Sequence, residues 1–381
     1  MTQTTTRHRT VNDSIPDLPR LRRLLHAWNF CILCSCHLVI SGFRTIHLHQ
    51  ESAPAFAIPT AMPPPPTLLP HHSPIISCEV EILGVRPSFC EEYVYNPSEK
   101  NLTDSISNAL NILRSGEADM AAIYYEKIDV EGHHFGPNSH QVRTAVRQLD
   151  LAMQTLNNKI KETNMANQLN VVLFSDHGMT TIQWMEKVIE LDKYISMSDI
   201  VKMMDRGPVV NLWPHDQKYQ KVYAALSQVP NMRVYARQEI PERFHYKGGK
   251  FVSPLTLVAE PGWFITENKT RLPYWKNDSG EASAWQNGWH GYDNEYLDMR
   301  GFFLATGPDF KRNCRAAPIR SVDVYNLMCW TLGVDPLPNN GSWARVEYLL
   351  NGSGGRAQPA TPWTCCMVLL GVLLAICYEN I

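Results

Sequence analysis

The sequence is short of several features that would place it at once. Basic residues do not dominate: 35 Lys and Arg stand against 37 Asp and Glu, a formal charge of −2. Binding a nucleic-acid backbone needs a basic face, so nucleic acid is excluded as a partner. Long apolar runs are missing too. A membrane-spanning helix needs about 20 apolar residues, and the most apolar stretch, residues 363–377, has fifteen. Residues 50–77 lack any helical or strand periodicity. They are rich in proline, alanine and histidine, with four consecutive prolines from Pro63 to Pro66, which favours extended polyproline or disorder. Cysteine is sparse where folding is expected. Of ten, only Cys78, Cys90, Cys314 and Cys329 lie in the globular stretch. Cys78 and Cys90 flank a Gly-Val-Arg-Pro turn, and both a short-loop disulfide and two buried thiols suit that spacing.

What is present divides the chain into residues 1–77, 78–350 and 351–381. In the first segment Arg20, Arg22 and Arg23 precede an apolar run over 24–40, the pattern of a late signal peptide or signal anchor. The last segment places Gly352, Ser353, Gly354 and Gly355 before a spacer and the apolar tail. Small residues, a spacer and an apolar tail are the parts of a glycosylphosphatidylinositol (GPI) attachment signal, which implies the outer leaflet of the plasma membrane. Glycosylation triplets starting at Asn101, Asn268, Asn277, Asn340 and Asn351 agree with secretion. The oligomeric state stays open, a homo-oligomer included.

The middle segment alternates helix and strand. Thr103 can cap a helix carrying Ile106, Ala109, Leu110 and Leu113, with Gly116 to end it. Residues 120–125 form a buried strand, 141–163 a long amphipathic helix and 170–175 a second strand. That is a βαβ unit, and it predicts an α/β fold with a mostly parallel sheet and helices on both faces. Further strands are expected at 209–213, 232–236, 257–259 and 301–304, and a last helix at 322–332.

Metal-ligating residues fall where these elements end. Asp129 and His133 follow the first strand at i and i+4, so one helical turn puts both on one face. Asp176 and His177 cap the second strand, and His290 lies in a Trp-His-Gly triplet. Carboxylate oxygen and neutral imidazole nitrogen suit zinc, and three or four such donors must converge.

These residues also carry a resemblance. Residues 128–133 (IDVEGH), 174–179 (FSDHGM) and 288–294 (GWHGYDN) resemble the ectonucleotide pyrophosphatase/phosphodiesterase family, within the alkaline phosphatase superfamily. Residues 78–87, 250–258 and 315–324 are similar to its GPI-anchored, choline-specific branch. The resemblance implies two zinc ions, with Asp129, His133 and His290 holding the first and Asp176 and His177 part of the second. It implies release of phosphocholine from glycerophosphocholine or lysophosphatidylcholine-type substrates. Asp129, His290 and Tyr124 are then the expected substrate contacts, Tyr124 because aromatic faces read quaternary ammonium. The family's nucleophilic Ser or Thr, and the aspartate of its first strand, have no match in residues 1–77. Residues 38–44 (LVISGFR) are similar to that strand end, with Ser41 at the aspartate position, and chance accounts for the similarity. One well-formed zinc site is therefore expected, in a sheet missing its first strands. The alternatives are a surface-anchored pseudoenzyme binding choline head groups or a protein, and a nucleotide pyrophosphatase/phosphodiesterase.

Overall fold

The structure is a computed structural model that describes residues 36–42, 87–183, 186–271, 274–276 and 282–352. It opens with strand β1 (Cys36–Gly42), helix α1 (Glu99–Ser115), β2 (Met120–Tyr125), α2 (Lys127–Phe135), α3 (His140–Glu162) and β3 (Leu169–Ser175). Ser98, not Thr103, caps α1: its hydroxyl accepts from the Asn101 amide while Asn101 Oδ1 accepts from the Ser98 amide. That reciprocal box satisfies two amides that a lone Thr103 would leave open. Gly116 ends the helix as expected, in the left-handed region at φ 76°.

These elements build a four-stranded sheet that also takes in β14 (Phe303–Thr306), in the order β14-β3-β1-β2. Both β2 and β3 run antiparallel to β1. They therefore point the same way, as a βαβ unit requires, with β1 standing between them. The expectation of a mostly parallel sheet fails because the inserted strand turns both of its ladders antiparallel, and β14 also runs antiparallel to β3. Seven residues of the 1–77 segment, Cys36–Gly42, form this inner strand.

Helices cover both faces. Leu102, Ile106 and Leu110 of α1 and Leu149, Met153 and Leu156 of α3 pack on one side. Leu327 and Met328 of α5 (Asp323–Leu332) pack against Val172 and Phe174 on the other. All seven residues of β3 are consequently buried, and its sequence LNVVLFS reads as the continuous run expected of a doubly covered strand.

A second core surrounds a separate antiparallel sheet. Strands β6 (Ile200–Met204), β7 (Val209–Pro214), β9 (Leu255–Ala259) and β8 (Met232–Ala236) lie in that order, with α4 (Tyr219–Leu226) between β7 and β8 in sequence. Val210, Leu212, Val222, Leu226, Leu255 and Leu257 fill it. Short strands link the two bodies: β4 (Thr180–Thr181), β5 (Val188–Glu190), β10 (Phe264–Thr266), the β11 (Tyr274–Lys276) and β12 (Ala282–Trp285) hairpin, and β13 (Gly288–Trp289). Only β5 and β10 pair in parallel among the described strands.

Cys90 is disulfide-bonded. Cys78, its partner in the short-loop disulfide reading, lies outside the described residues, as do Asn277, the rest of the 1–77 segment and the tail beyond Gly352. Among the described residues no helix is long and apolar enough to cross a membrane.

Candidate metal centre

Three chain segments meet where β2 and β3 end. The first is α2. Glu126, buried at its start, accepts from the Tyr93 hydroxyl at 2.6 Å and the Asn96 amide at 2.8 Å, which straps the 93–96 segment onto the helix. Asp129 and His133 then fall one turn apart, with Nε2 and Oδ2 separated by 3.5 Å.

The second segment is the end of β3. Asp176 Oδ1 accepts from the His177 amide at 2.9 Å, and His177 Nε2 lies 3.6 Å from Asp176 Oδ2. Gly178 must be glycine here: a Cβ would sit 2.0 Å from the Asp298 carbonyl oxygen.

The third segment reaches the site through β13, which pairs antiparallel with β4. The Asn287 amide donates to the His133 carbonyl at 2.8 Å, and its side-chain Nδ2 to the His134 carbonyl at 2.7 Å. Backbone then touches backbone. A Cβ on Gly288 would stand 2.3 Å from the Gly132 carbonyl oxygen. This approach carries His290, 157 positions after His133, to within 3.6 Å of Asp129 (Nε2 to Oδ1).

The imidazoles are oriented for ligation. His133 Nδ1 lies 2.9 Å from the Gly288 carbonyl, and His177 Nδ1 lies 2.9 Å from the Gly178 carbonyl. A carbonyl only accepts, so each Nδ1 carries a proton and Nε2 is the nitrogen left to face a cation. The dense protein around His290, then the imidazoles of His177 and His133, hold its pKa well below the ordinary range, although 30% of the side chain is exposed. His290 is therefore neutral at pH 7, the form that binds a metal.

The donors fit a divalent cation. The ligand atoms of Asp129, His133 and His290 all lie within 4.8 Å of one another. Asp129 Oδ1 is buried with no hydrogen-bond partner, which is costly unless a cation satisfies it. Donors around a tetrahedral zinc sit roughly 3.3 Å apart, close to the 3.5 and 3.6 Å from Asp129 to the two imidazoles. Asp176 and His177 stand beside this cluster, His177 stacking on His290 with ring centroids 3.6 Å apart.

A model of the type I phosphodiesterase/nucleotide pyrophosphatase family matches residues 50–293. The chain belongs to that family. It is 35% identical over 272 residues to human ectonucleotide pyrophosphatase/phosphodiesterase family member 5, covering 71% of this chain and 54% of the relative. It is 35% identical over 234 residues to a bis(5'-adenosyl)-triphosphatase of Xenopus laevis, covering 61% and 48%. The human member 5 structure superposes with a TM-score of 0.63 at 32% identity, covering 72% of this chain and 70% of that one. The murine member 5, as an inactive form in complex with AMP, gives 0.61 at 32% identity, covering 72% and 69%. The chain spans about half the length of the curated relatives it matches.

Within this phosphodiesterase fold the other expected residues are less central. Tyr125 is core, 2% exposed, and Tyr124 is half-buried on β2. Ser41 pairs with Met120 and Asn170, at the starts of β2 and β3. At about 3.3 Å per residue it lies roughly 17 Å from the strand ends that carry the ligands. The similarity of residues 38–44 to the family's aspartate turn is therefore not a similarity of position. The described hydroxyls nearest Asp176 in sequence are both engaged. Ser175 Oγ accepts from the Phe302 amide, and Thr180 Oγ1 donates to Asp298.

Sequence reasoning missed the Gly132–Gly288 contact and the Glu126 strap. It gave no role to Trp289, whose ring packs edge-on against both His133 and Phe264. Glycine before Trp-His was visible, but nothing in one sequence says which distant backbone it touches.

Proposed function

We propose that this chain carries the metal centre of a hydrolase acting on nucleotide-type phosphodiester or pyrophosphate bonds, with zinc held by Asp129, His133 and His290. The observation that carries the reading is the unsatisfied Asp129 Oδ1 facing His290 inside a three-donor cluster. The family match and the adenosine-named relatives support the substrate class. A bound zinc would polarise a phosphoryl oxygen and lower the pKa of a bound water. The chain's own part is to hold that cation: His133 through Gly288, Asp129 through α2, and His290 through β13.

A second reading, a choline phosphodiester, has one specific support. Tyr95 is 63% exposed, and its hydroxyl pKa is raised by partial burial and then by Glu126, Asp129 and Glu131. An aromatic ring in the field of three carboxylates is the chemistry that attracts a quaternary ammonium. In either reading we place the protein on the outer leaflet, attached through the signal in residues 351–381. Release by phosphatidylinositol-specific phospholipase C tests that placement.

Zinc-loaded chain offered the p-nitrophenyl ester of thymidine monophosphate and p-nitrophenyl phosphorylcholine in competition separates the two. Slow release, faster from the nucleotide ester and abolished by chelation, is the expected result, because the family's nucleophile has no match in residues 1–77. The opposite preference would move the assignment to choline. Zinc binding with turnover of neither ester would leave a metal-binding surface module and refute the hydrolase.

A further inference from the structure

His290 is the least secured of the three donors. Imidazoles that ligate metals almost always donate their second nitrogen to a carbonyl or carboxylate, which fixes the ring. His133 and His177 do so, to Gly288 and Gly178. His290 makes no hydrogen bond among the described residues. It also stands before Gly291, whose φ of 95° is open only to glycine at no strain. What fixes its ring is a face. The His177 and His290 planes lie 15° apart with centroids at 3.6 Å, whereas His133 meets His290 at 4.9 Å and 55°.

The neighbouring acid is tied to local backbone. Asp176 Oδ1 accepts from the His177 amide at 2.9 Å. Among the described residues a second zinc at this end would draw on Asp176 and His177, two side chains where zinc sites take three or four protein donors. Among the described residues only Asp129, His133 and His290 form a group of three.

We infer that this chain binds one divalent cation where its family resemblance implies two, and that His177 is a positioning residue which holds His290 by stacking. The inference rests on the metal-centre reading above. His177 then acts through its ring face, and its Nε2 is dispensable. That distinguishes it from a ligand, for which the nitrogen is everything.

The test uses the full chain stripped of metal and titrated with zinc against a chromophoric chelator, for the wild type, His177→Phe and His177→Ala. Phenylalanine keeps a flat ring and removes both nitrogens. Expected are one tight ion per wild-type chain, one ion at near wild-type affinity for His177→Phe, and one ion bound about 10–100-fold more weakly for His177→Ala, the range seen when a ligand's outer support is removed. Two ions in the wild type, falling to one in both variants, would make His177 a ligand and overturn the inference while sparing the metal centre. Equal weakening in both variants would also overturn it. No tight ion in the wild type would instead refute the metal-centre reading itself. Should His177→Ala melt well below the wild type without metal, the His177→Phe arm decides alone.

Discussion

Asp129 and His133 face each other at 3.5 Å, Asp176 and His177 at 3.6 Å, and both histidines turn Nδ1 onto a backbone carbonyl at 2.9 Å. Taken locally, the two pairs are near copies at the ends of two strands that run the same way. Among the described residues they differ in which imidazole reaches them from elsewhere in the chain. The first pair receives His290, brought in by the contact of Gly288 with Gly132, and keeps a buried oxygen unsatisfied. The second pair spends one carboxylate oxygen on its own backbone and one ring face on His290. A carboxylate and an imidazole at ligand spacing are thus half a site. The long-range backbone contact supplies the other half.

The largest effect is expected from a carboxylate outside both pairs, which shows what an acid held purely for stability looks like. Asp323 is fully buried and accepts from Arg345 twice at 2.7 Å, and from the Ser342 and Arg320 amides. Burial alone would raise its pKa, but those donors outweigh it and hold the carboxyl below its ordinary value. Arg345→Ala would leave an unpaired buried charge, a loss of about 3–5 kcal/mol in urea unfolding. Zinc affinity should not change. Because the folded pKa is depressed, Asp323 stabilises above its unfolded pKa near ~3.9, and that stability is lost as pH falls through the lower folded value. Wild-type stability should therefore drop below about pH 4, and the Arg345→Ala profile should be flatter there.

His290→Ala should come next. Removing the third donor should weaken zinc binding by more than about a hundredfold, beyond the range for outer supports. Asp176→Asn should leave the same ion within about tenfold. Chelator competition reads both, and equal losses would erase the distinction between the pairs.

Gly288→Ala probes how the halves are joined. A Cβ 2.3 Å from the Gly132 carbonyl must push α2 and β13 apart, at about 1–3 kcal/mol of stability, with weaker zinc binding alongside. Gly248→Ala, with nothing within 4 Å of the added Cβ, is the control and should lie within about 0.5 kcal/mol of wild type.

Local pattern made much of this legible. The continuous apolar run of β3, the 3.6-residue stripe of α3 and the i, i+4 spacing of Asp129 and His133 each depend on neighbours in sequence. Periodicity reports such neighbours. The α1 start was misplaced because Ser98 and Asn101 form a reciprocal cap that outcompetes Thr103. Strand β1 was missed because five of its seven residues lie in a run that also suits a leader, and sequence alone does not give strand direction. The convergence of His290 on Asp129 was expected from the family resemblance. Its cause, two glycine backbones in contact, leaves no local signature.

Anomalous scattering at the zinc absorption edge, from crystals of the full chain grown with zinc, tests the central claim most directly. The account predicts one strong peak per chain within bonding distance of Asp129, His133 and His290. A peak bound instead by Asp176 and His177, with none at the three-donor cluster, would contradict it.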